Sequence, residues 1–216
     1  GHGAKVGRPV SAILFGLSRG PVMVYYGQEV GEPADVGAAG FELDKGRTTF
    51  FDFWSVPELQ KWINAGKYDG GGLSSEQKDL RAFYGRLVRS LGHPALAQGN
   101  FYPLNPANRE NPNYGRLDRK DPGHWLYSFL RHDPVAKKSV LVVANLHPKE
   151  TITKASLRFT PETTSAVTPS PDATLSGTDL LSPDSRAITC PAKELVSSGL
   201  PLPDLPPLSA AYFDLN

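Results

Sequence analysis

Hydrophobic and polar positions follow two different patterns, and the change falls near residue 94. In the segment 3–18, apolar residues recur at helical spacing and predict a helix, with the stripe formed by Val6, Val10, Ile13, Leu14 and Leu17. The segment Pro21–Tyr26 is apolar with hardly any polar break. Such a run is typical of a parallel strand that is covered on both faces.

A long loop region separates this predicted strand from the next helix that the pattern strongly predicts. Residues 30–73 are rich in glycine and in aromatic residues, and long loops of this kind inside a compact domain tend to be functional. Within this loop region, the segment 56–63 predicts a short helix. The segment 74–92 predicts a longer one, because Ser74 and Gln77 have the spacing of a capping box and apolar residues follow at helical intervals.

Beyond Pro94 the pattern is that of an all-β domain. Short apolar runs are separated by Pro, Gly, Asn and Asp at the spacing of an antiparallel sandwich. The candidate strands are Gly99–Leu104, Trp125–Arg131, Ser139–Leu146, Thr151–Phe159, Ala173–Leu181, Ala187–Cys190 and Ala211–Leu215. Residues 105–123 are polar and rich in Asn and Pro, and they predict a loop or a long hairpin.

The predicted fold is therefore an α/β piece, helix–strand–loop–helix, over residues 1–94, followed by an all-β antiparallel sandwich over residues 95–216. A single strand between two helices leaves both strand edges unpaired. We therefore expect the first part to be a piece of a larger structure.

Composition narrows the function classes. The chain has 216 residues, and its net charge of +1 gives no electrostatic signature of nucleic-acid or membrane binding. The single cysteine, Cys190, excludes an internal disulfide and is expected to be a small core residue. Because the chain begins with Gly1, we expect the start of the natural protein to be missing. The compartment stays open, with the periplasm or secretion slightly favoured over the cytoplasm.

Five segments, in order, match the pattern of one enzyme family. They are GPVMVYYGQEVGEP, GRTTFFDFW, LRAFYGRLVRSLGHPALAQGNFYPL, WLYSFLRHD with KSVLVVANLHP, and the terminal AAYFDLN. The chain resembles the C-terminal region of the α-amylase family, glycoside hydrolase family 13. In that family the first segment is the last strand of a TIM barrel, and the second lies between that strand and the last barrel helix. The third is that helix with the entry into a C-terminal β-domain, and the last two belong to that domain.

The resemblance implies a glycosidase that hydrolyses or transfers α-glucosidic bonds of starch-like glucans or maltooligosaccharides with retention of configuration. Retention requires two carboxylates about 5–5.5 Å apart. In the family these carboxylates come from the fourth and fifth barrel strands, which would precede Gly1. The chain alone is therefore expected to be inactive and to need the missing N-terminal part of the barrel. No cofactor or metal is expected within the chain, although a structural calcium upstream is compatible with the resemblance.

Four residues are candidates for contacting substrate or supporting the site, and none of them is expected to be catalytic: Tyr26, Gln28, Glu29 and Arg47. The ends of barrel strands carry the active site, which places Gln28 and Glu29 at its rim. The alternative is that both are ordinary polar residues at a strand end. Arg47 is either a ligand of carboxylates or sugar hydroxyls or a solvated loop charge.

Two aromatic residues of the loop region 30–73, Trp54 and Trp62, either form a stacking platform for glucose or anchor the loop to the rest of the protein. A second function class also stays open. In it, the β-domain is a non-catalytic carbohydrate-binding or interaction module and residues 1–92 are a helical appendage. The segment 21–26 separates the two classes, because an apolar strand of this kind needs two neighbouring strands.

Overall fold

The structure, a computed structural model, describes residues 3–33, 56–115, 124–168 and 170–216. The chain divides into two compact units. Unit 1 comprises Gly1–Arg8 and Val22–Gly85, and unit 2 comprises Pro9–Pro21 and Arg86–Asn216. The division between domains at residue 94 stays a prediction.

The described residues contain both helices and strands. The helices are α1 (Gly7–Leu17), α2 (Pro57–Ile63), α3 (Ser75–Ser90), α4 (Pro94–Ala97) and α5 (Pro161–Val167), with short 3-10 turns at Gly3–Val6, Gln28–Val30, Pro106–Asn108 and Ala192–Glu194. The strands are β1 (Asn100–Pro103), β2 (Leu126–Asp133), β3 (Lys138–Asn145), β4 (Ser156–Leu157), β5 (Thr174–Asp179), β6 (Ala187–Pro191), β7 (Leu200–Pro201) and β8 (Ser209–Leu215).

Helix α3 begins with the predicted capping box. The backbone N–H of Gln77 donates to Ser74 Oγ at 3.3 Å, and the backbone N–H of Ser74 donates to Gln77 Oε1 at 3.1 Å. These two bonds satisfy groups that every helix leaves unpaired at its N-terminus. The helical stripe that the sequence predicts is buried at Leu80, Phe83, Tyr84 and Leu87. The prediction of this helix is confirmed.

Helix α1 forms as predicted, but a different face of it is buried. Within unit 2, the hydroxyl of Tyr212 donates to the carbonyl of Ala12, and a Cβ on Gly16 would lie 2.8 Å from Tyr212 Oη. Small residues therefore allow the sheet to approach the helix closely. Three residues of the predicted stripe remain 37–60% exposed instead, namely Val10, Leu14 and Leu17.

The predicted strand over Pro21–Tyr26 does not form. The backbones of Val22, Met23 and Val24 make no hydrogen bond to any described residue, although the segment is followed directly by a well-bonded turn. Met23 is 78% exposed. A strand exists only when a neighbour supplies the second half of its ladder, and the described part of the chain supplies none here.

Unit 2 is built on a six-stranded antiparallel sheet in the order β1-β2-β3-β8-β5-β6. The register pairs Leu130 with Leu141 and Leu141 with Phe213 at its centre. A two-stranded sheet, β4-β7, and a bridge between Ile152 and Leu205 lie outside this sheet. Residues of both sheets share one buried hydrophobic core. The antiparallel β prediction is confirmed, with a second layer that contains only two short strands.

The predicted polar loop at 105–123 is partly an ordered, buried turn. Asn108 is fully buried, and its Nδ2 donates to the carbonyls of Leu104 and Arg158 at 2.8 and 2.9 Å. Its Oδ1 accepts from the Arg158 backbone at 2.8 Å and from Asn111 Nδ2 at 2.9 Å. The asparagines of this stretch therefore take the place of strand pairing between the turn and the segment around β4.

Cys190 is buried in the core of unit 2, as predicted, and burial raises the pKa of its thiol. We expect the native protein to react with a disulfide reagent on the order of a thousandfold more slowly than an exposed thiol, because labelling requires opening of the core. The measurement is the rate of thiol labelling. The control is Thr189→Cys in a Cys190→Ala background, since residue 189 is exposed on the same strand. Equal rates would contradict the buried position.

Candidate functional site

The rim predicted from the sequence is a tight turn in unit 1. Gly27 and Gly31 flank it in left-handed conformations, with φ values of 81° and 76°. Side chains are excluded at both positions, because a Cβ on Gly27 would lie 2.7 Å from Glu32 Cβ and one on Gly31 would lie 2.7 Å from Ala4 Cβ. The glycines of this stretch therefore permit the chain to reverse sharply after Tyr26.

Gln28 holds this turn in place. Its Oε1 accepts from the backbone N–H of Tyr25 at 3.0 Å, and its Nε2 donates to Tyr84 Oη at 2.9 Å. The hydroxyl of Tyr84 in turn donates to the carbonyl of Gly7 at 3.4 Å. The side-chain amide of Gln28 thus links the backbone of Tyr25 to Tyr84 in the middle of α3, and Tyr84 connects them to the start of α1. This arrangement fits a supporting role for Gln28.

A cavity of about 500 Å³ lies beside the turn. Tyr25, Tyr26, Gln28, Glu32 and Tyr84 contribute to its lining, together with small residues of the first turn of the chain. Its volume lies within the range of small-molecule sites, and its lining combines aromatic residues with a few polar groups. Among the described residues that line it, Glu32 is the one carboxylate, so these residues do not supply the pair that glycoside hydrolysis requires.

Glu32 is a residue that the sequence analysis missed. Its Oε2 accepts from the backbone N–H groups of Glu58 and Leu59, both at 2.9 Å, at the start of α2. Its Oε1 is buried without a hydrogen-bond partner, and burial raises the pKa of this carboxyl. The carboxylate therefore joins the end of the turn to α2. The sequence signal that could have identified Glu32 is an acidic residue placed between Gly31 and Pro33, at the end of the turn.

A second side chain, Gln77, extends this link. Beyond its capping role, its Nε2 donates to the carbonyl of Val30 at 3.0 Å and to Glu58 Oε2 at 2.5 Å. Hydrogen bonds from Lys61 and then from Gln77 lower the pKa of Glu58. The first turn of α3, the start of α2 and the rim are consequently held as one polar network within unit 1.

The remaining predicted residues differ in how far the structure describes them. Glu29 is half-buried in the turn, makes no hydrogen bond to a described residue and does not line the cavity. Arg47 and Trp54 lie outside the described residues. Trp62 packs against the buried cluster of Val30, Val56, Leu59 and Leu73, and this contact favours the anchoring interpretation for Trp62.

Two further observations concern the parts of the chain that the structure describes. They contain no group of three or more His, Cys, Asp or Glu side chains arranged to hold a metal ion. None of their helices combines the length and the apolar character that crossing a bilayer requires.

The sequence matches no protein-family model and no curated protein. The structure is similar to an α-amylase from Geobacillus thermoleovorans complexed with acarbose, at 15% identity and a TM-score of 0.44, over 99% of this chain and 33% of that chain. It is also similar to the galactosidase domain of an α-galactosidase–sucrose kinase, at 16% identity and a TM-score of 0.40, over 82% of this chain and 21% of that chain. The chain thus spans a third or less of either protein, and similarities at these scores carry no conclusion by themselves.

Proposed function

We propose that the chain is the C-terminal part of an α-amylase-type glycosidase that cleaves or transfers α-glucosidic bonds in starch-like glucans with retention of configuration. In this proposal residues 1–94 end a (β/α)8 barrel and residues 95–216 form the β-domain behind it. The catalytic carboxylates belong to the part of the barrel that precedes the chain. No cofactor is required from these residues, and a structural calcium ion, where the whole protein holds one, would bind upstream.

The observation that carries the proposal is the backbone at 22–24, which has no hydrogen-bond partner among the described residues. Val22, Met23 and Val24 are apolar, and Met23 is 78% exposed. Unpaired backbone N–H and C=O groups between apolar side chains are a template for pairing with other strands. A closed barrel supplies a strand on each side and removes both edges.

The rim residues have supporting roles in this proposal. Gln28 keeps the turn closed through Tyr25 and Tyr84, while Tyr26 lines the cavity and would contact a sugar. Glu29 would meet groups from the preceding part of the barrel, because no described residue pairs with it. Arg47 is proposed to contact substrate or a catalytic carboxylate.

The alternative is a non-catalytic carbohydrate-binding or interaction module. One observation favours it, namely that unit 2 has its own buried core and its own six-stranded sheet. The backbone at 22–24 favours the enzyme, because a module that folds by itself is expected to pair its own backbone groups. The two functions predict different results for the longest natural protein. The enzyme cleaves an α-glucan, whereas the module binds it without cleavage.

We expect the 216-residue chain to release no sugar from maltoheptaose above a heat-inactivated control, because the carboxylate pair is not within it. The longest protein encoded by the natural reading frame is expected to cleave maltoheptaose and to release the α-anomer first, which proton NMR detects within minutes. Sugar release by the chain alone would contradict the upstream location of the carboxylates. A natural reading frame that starts at Gly1, or a longer protein that binds glucan without cleaving it, would contradict the enzyme.

A further inference from the structure

Tyr68 is the most exposed aromatic residue in the described part of the chain, at 62%. It lies in a loop that we call the 64–72 loop, between α2 and α3. Its backbone is left-handed, with a φ of 55°. A large side chain that is both exposed and held in this conformation is uncommon, because the left-handed region is unfavourable for residues with a Cβ.

The loop that carries Tyr68 is built to hold one shape. The backbone N–H groups of Tyr68, Gly70 and Gly72 donate to the carbonyls of Ile63, Trp62 and Lys61, the last turn of α2, at 2.9 to 3.1 Å. The loop thus folds back on the helix that precedes it. A Cβ on Gly72 would lie 2.9 Å from the Lys61 carbonyl, so the close approach requires glycine.

Side chains fix the loop further. Asp69 Oδ1 accepts from Asn64 Nδ2 at 2.7 Å and from the backbone N–H of Gly71 at 2.8 Å. The loop nevertheless contains three non-glycine residues with positive φ: Asn64, Ala65 and Tyr68. Backbone strain that the surrounding bonds hold in place is concentrated at ligand-binding and active sites. The loop therefore maintains a costly conformation that presents Tyr68 to solvent.

The ring of Tyr68 is supported from one side. It meets the half-buried ring of Trp62 edge to face, at 5.7 Å between centroids and an interplanar angle of 62°. The guanidinium of Arg81 lies 4.6 Å from the centre of the Trp62 ring. Trp62 therefore packs against the core of unit 1 and orients Tyr68. The ring of Tyr68 remains exposed to solvent.

The surroundings of the ring define the chemistry of its ligand. Ala65, Gly66, Lys67 and Asp69 are all exposed and either small or polar, so the loop itself presents an apolar surface little larger than one ring. A protein partner needs several hundred Å² on each side, and the loop alone does not supply that area. Hydrogen bonds from Asn64 and the backbone of Gly71 lower the pKa of Asp69, and its negative charge disfavours phosphate.

We propose that Tyr68 and the 64–72 loop bind one pyranose ring of a neutral glycan. The apolar face of the sugar packs on the tyrosine ring, and Asn64 and Asp69 offer polar groups to the hydroxyls at its edge. The site shares no residue with the cavity beside Gln28. It rests on the proposed function only for the choice of an α-glucan as the probe.

The test is affinity electrophoresis of the longest natural protein in gels with and without amylopectin. The Tyr68→Asn variant removes the ring but keeps the backbone, because asparagine tolerates the left-handed conformation. We expect it to raise the Kd for amylopectin about tenfold, the loss of one stacking contact. The Tyr68→Phe variant keeps the ring and is expected to be retarded like the parent protein.

The matched control is Lys67→Ala, an exposed substitution in the same loop, which is expected to leave retardation unchanged. Equal retardation of the parent and Tyr68→Asn proteins would overturn the proposal, and so would Tyr68-dependent binding of single-stranded oligonucleotide in place of glucan. Cleavage of maltoheptaose without any retardation would overturn this site and leave the proposed function intact. Retardation that depends on Tyr68, in a protein that does not cleave maltoheptaose, would support this site and contradict the proposed function.

Discussion

Replacing Arg131 with methionine is expected to lower the free energy of unfolding by about 3 kcal/mol, because it leaves buried carbonyls without donors. Arg131 is 1% exposed in the middle of β2. Its guanidinium donates to the carbonyls of Gly16 and Gly99, both at 2.7 Å, and to that of Leu96 at 3.3 Å. Gly16 and Leu96 lie near the C-terminal ends of α1 and α4, where helices leave their carbonyls unpaired.

Urea unfolding followed by circular dichroism measures this loss, with Arg89→Met as the control because Arg89 is exposed on α3. The Arg131→Lys variant is expected to be intermediate, since an ammonium group cannot span the carbonyls that the planar guanidinium reaches. A loss below about 0.5 kcal/mol for Arg131→Met would match an ordinary surface change. It would mean that the three carbonyls do not depend on Arg131.

Replacing Asn108 with alanine is expected to cost about 3 kcal/mol, because it removes four hydrogen bonds from a fully buried side chain. Its partners include both backbone groups of Arg158 and the side chain of Asn111. Losing the amide leaves these groups buried without partners and frees the 105–115 turn from the segment that contains β4. The same urea titration measures the change.

Asn113→Ala is the matched control, since Asn113 is an exposed asparagine of the same turn and is expected to change stability by less than about 0.5 kcal/mol. If the Asn108 and Asn113 variants were equally stable, water would be replacing the lost hydrogen bonds. The network would then not be what orders the turn.

The elements that the sequence predicted correctly depend on residues close together in the chain. Helix α3 follows from the spacing of Ser74 and Gln77 and from its apolar stripe. Strands β2, β3, β6 and β8 lie within two residues of their predicted bounds, because apolar runs and turn residues mark them locally. The predicted strand over Thr151–Phe159 shrinks to β4 and one bridge, since its neighbours there are short.

The position of the site stays a prediction, and the contacts of its residues could not be predicted from the sequence. The turn around Gln28 follows from its flanking glycines, which the sequence displays. The partner of Gln28, Tyr84, lies 56 residues away, and the backbone groups that Glu32 caps lie 26 and 27 residues away. Nothing in the local pattern specifies which distant group a polar side chain will meet.

By itself the sequence determined the long helix, the antiparallel character of the second half and the resemblance to a glycosidase family, since these depend on local spacing and order. Only the tertiary structure decided which face of α1 is buried, where Arg131 and Asn108 find their hydrogen-bond partners, and that the backbone at 22–24 has no partner among the described residues. The physical reason is that packing faces, buried polar groups and strand edges are satisfied by partners far away in the chain or outside it.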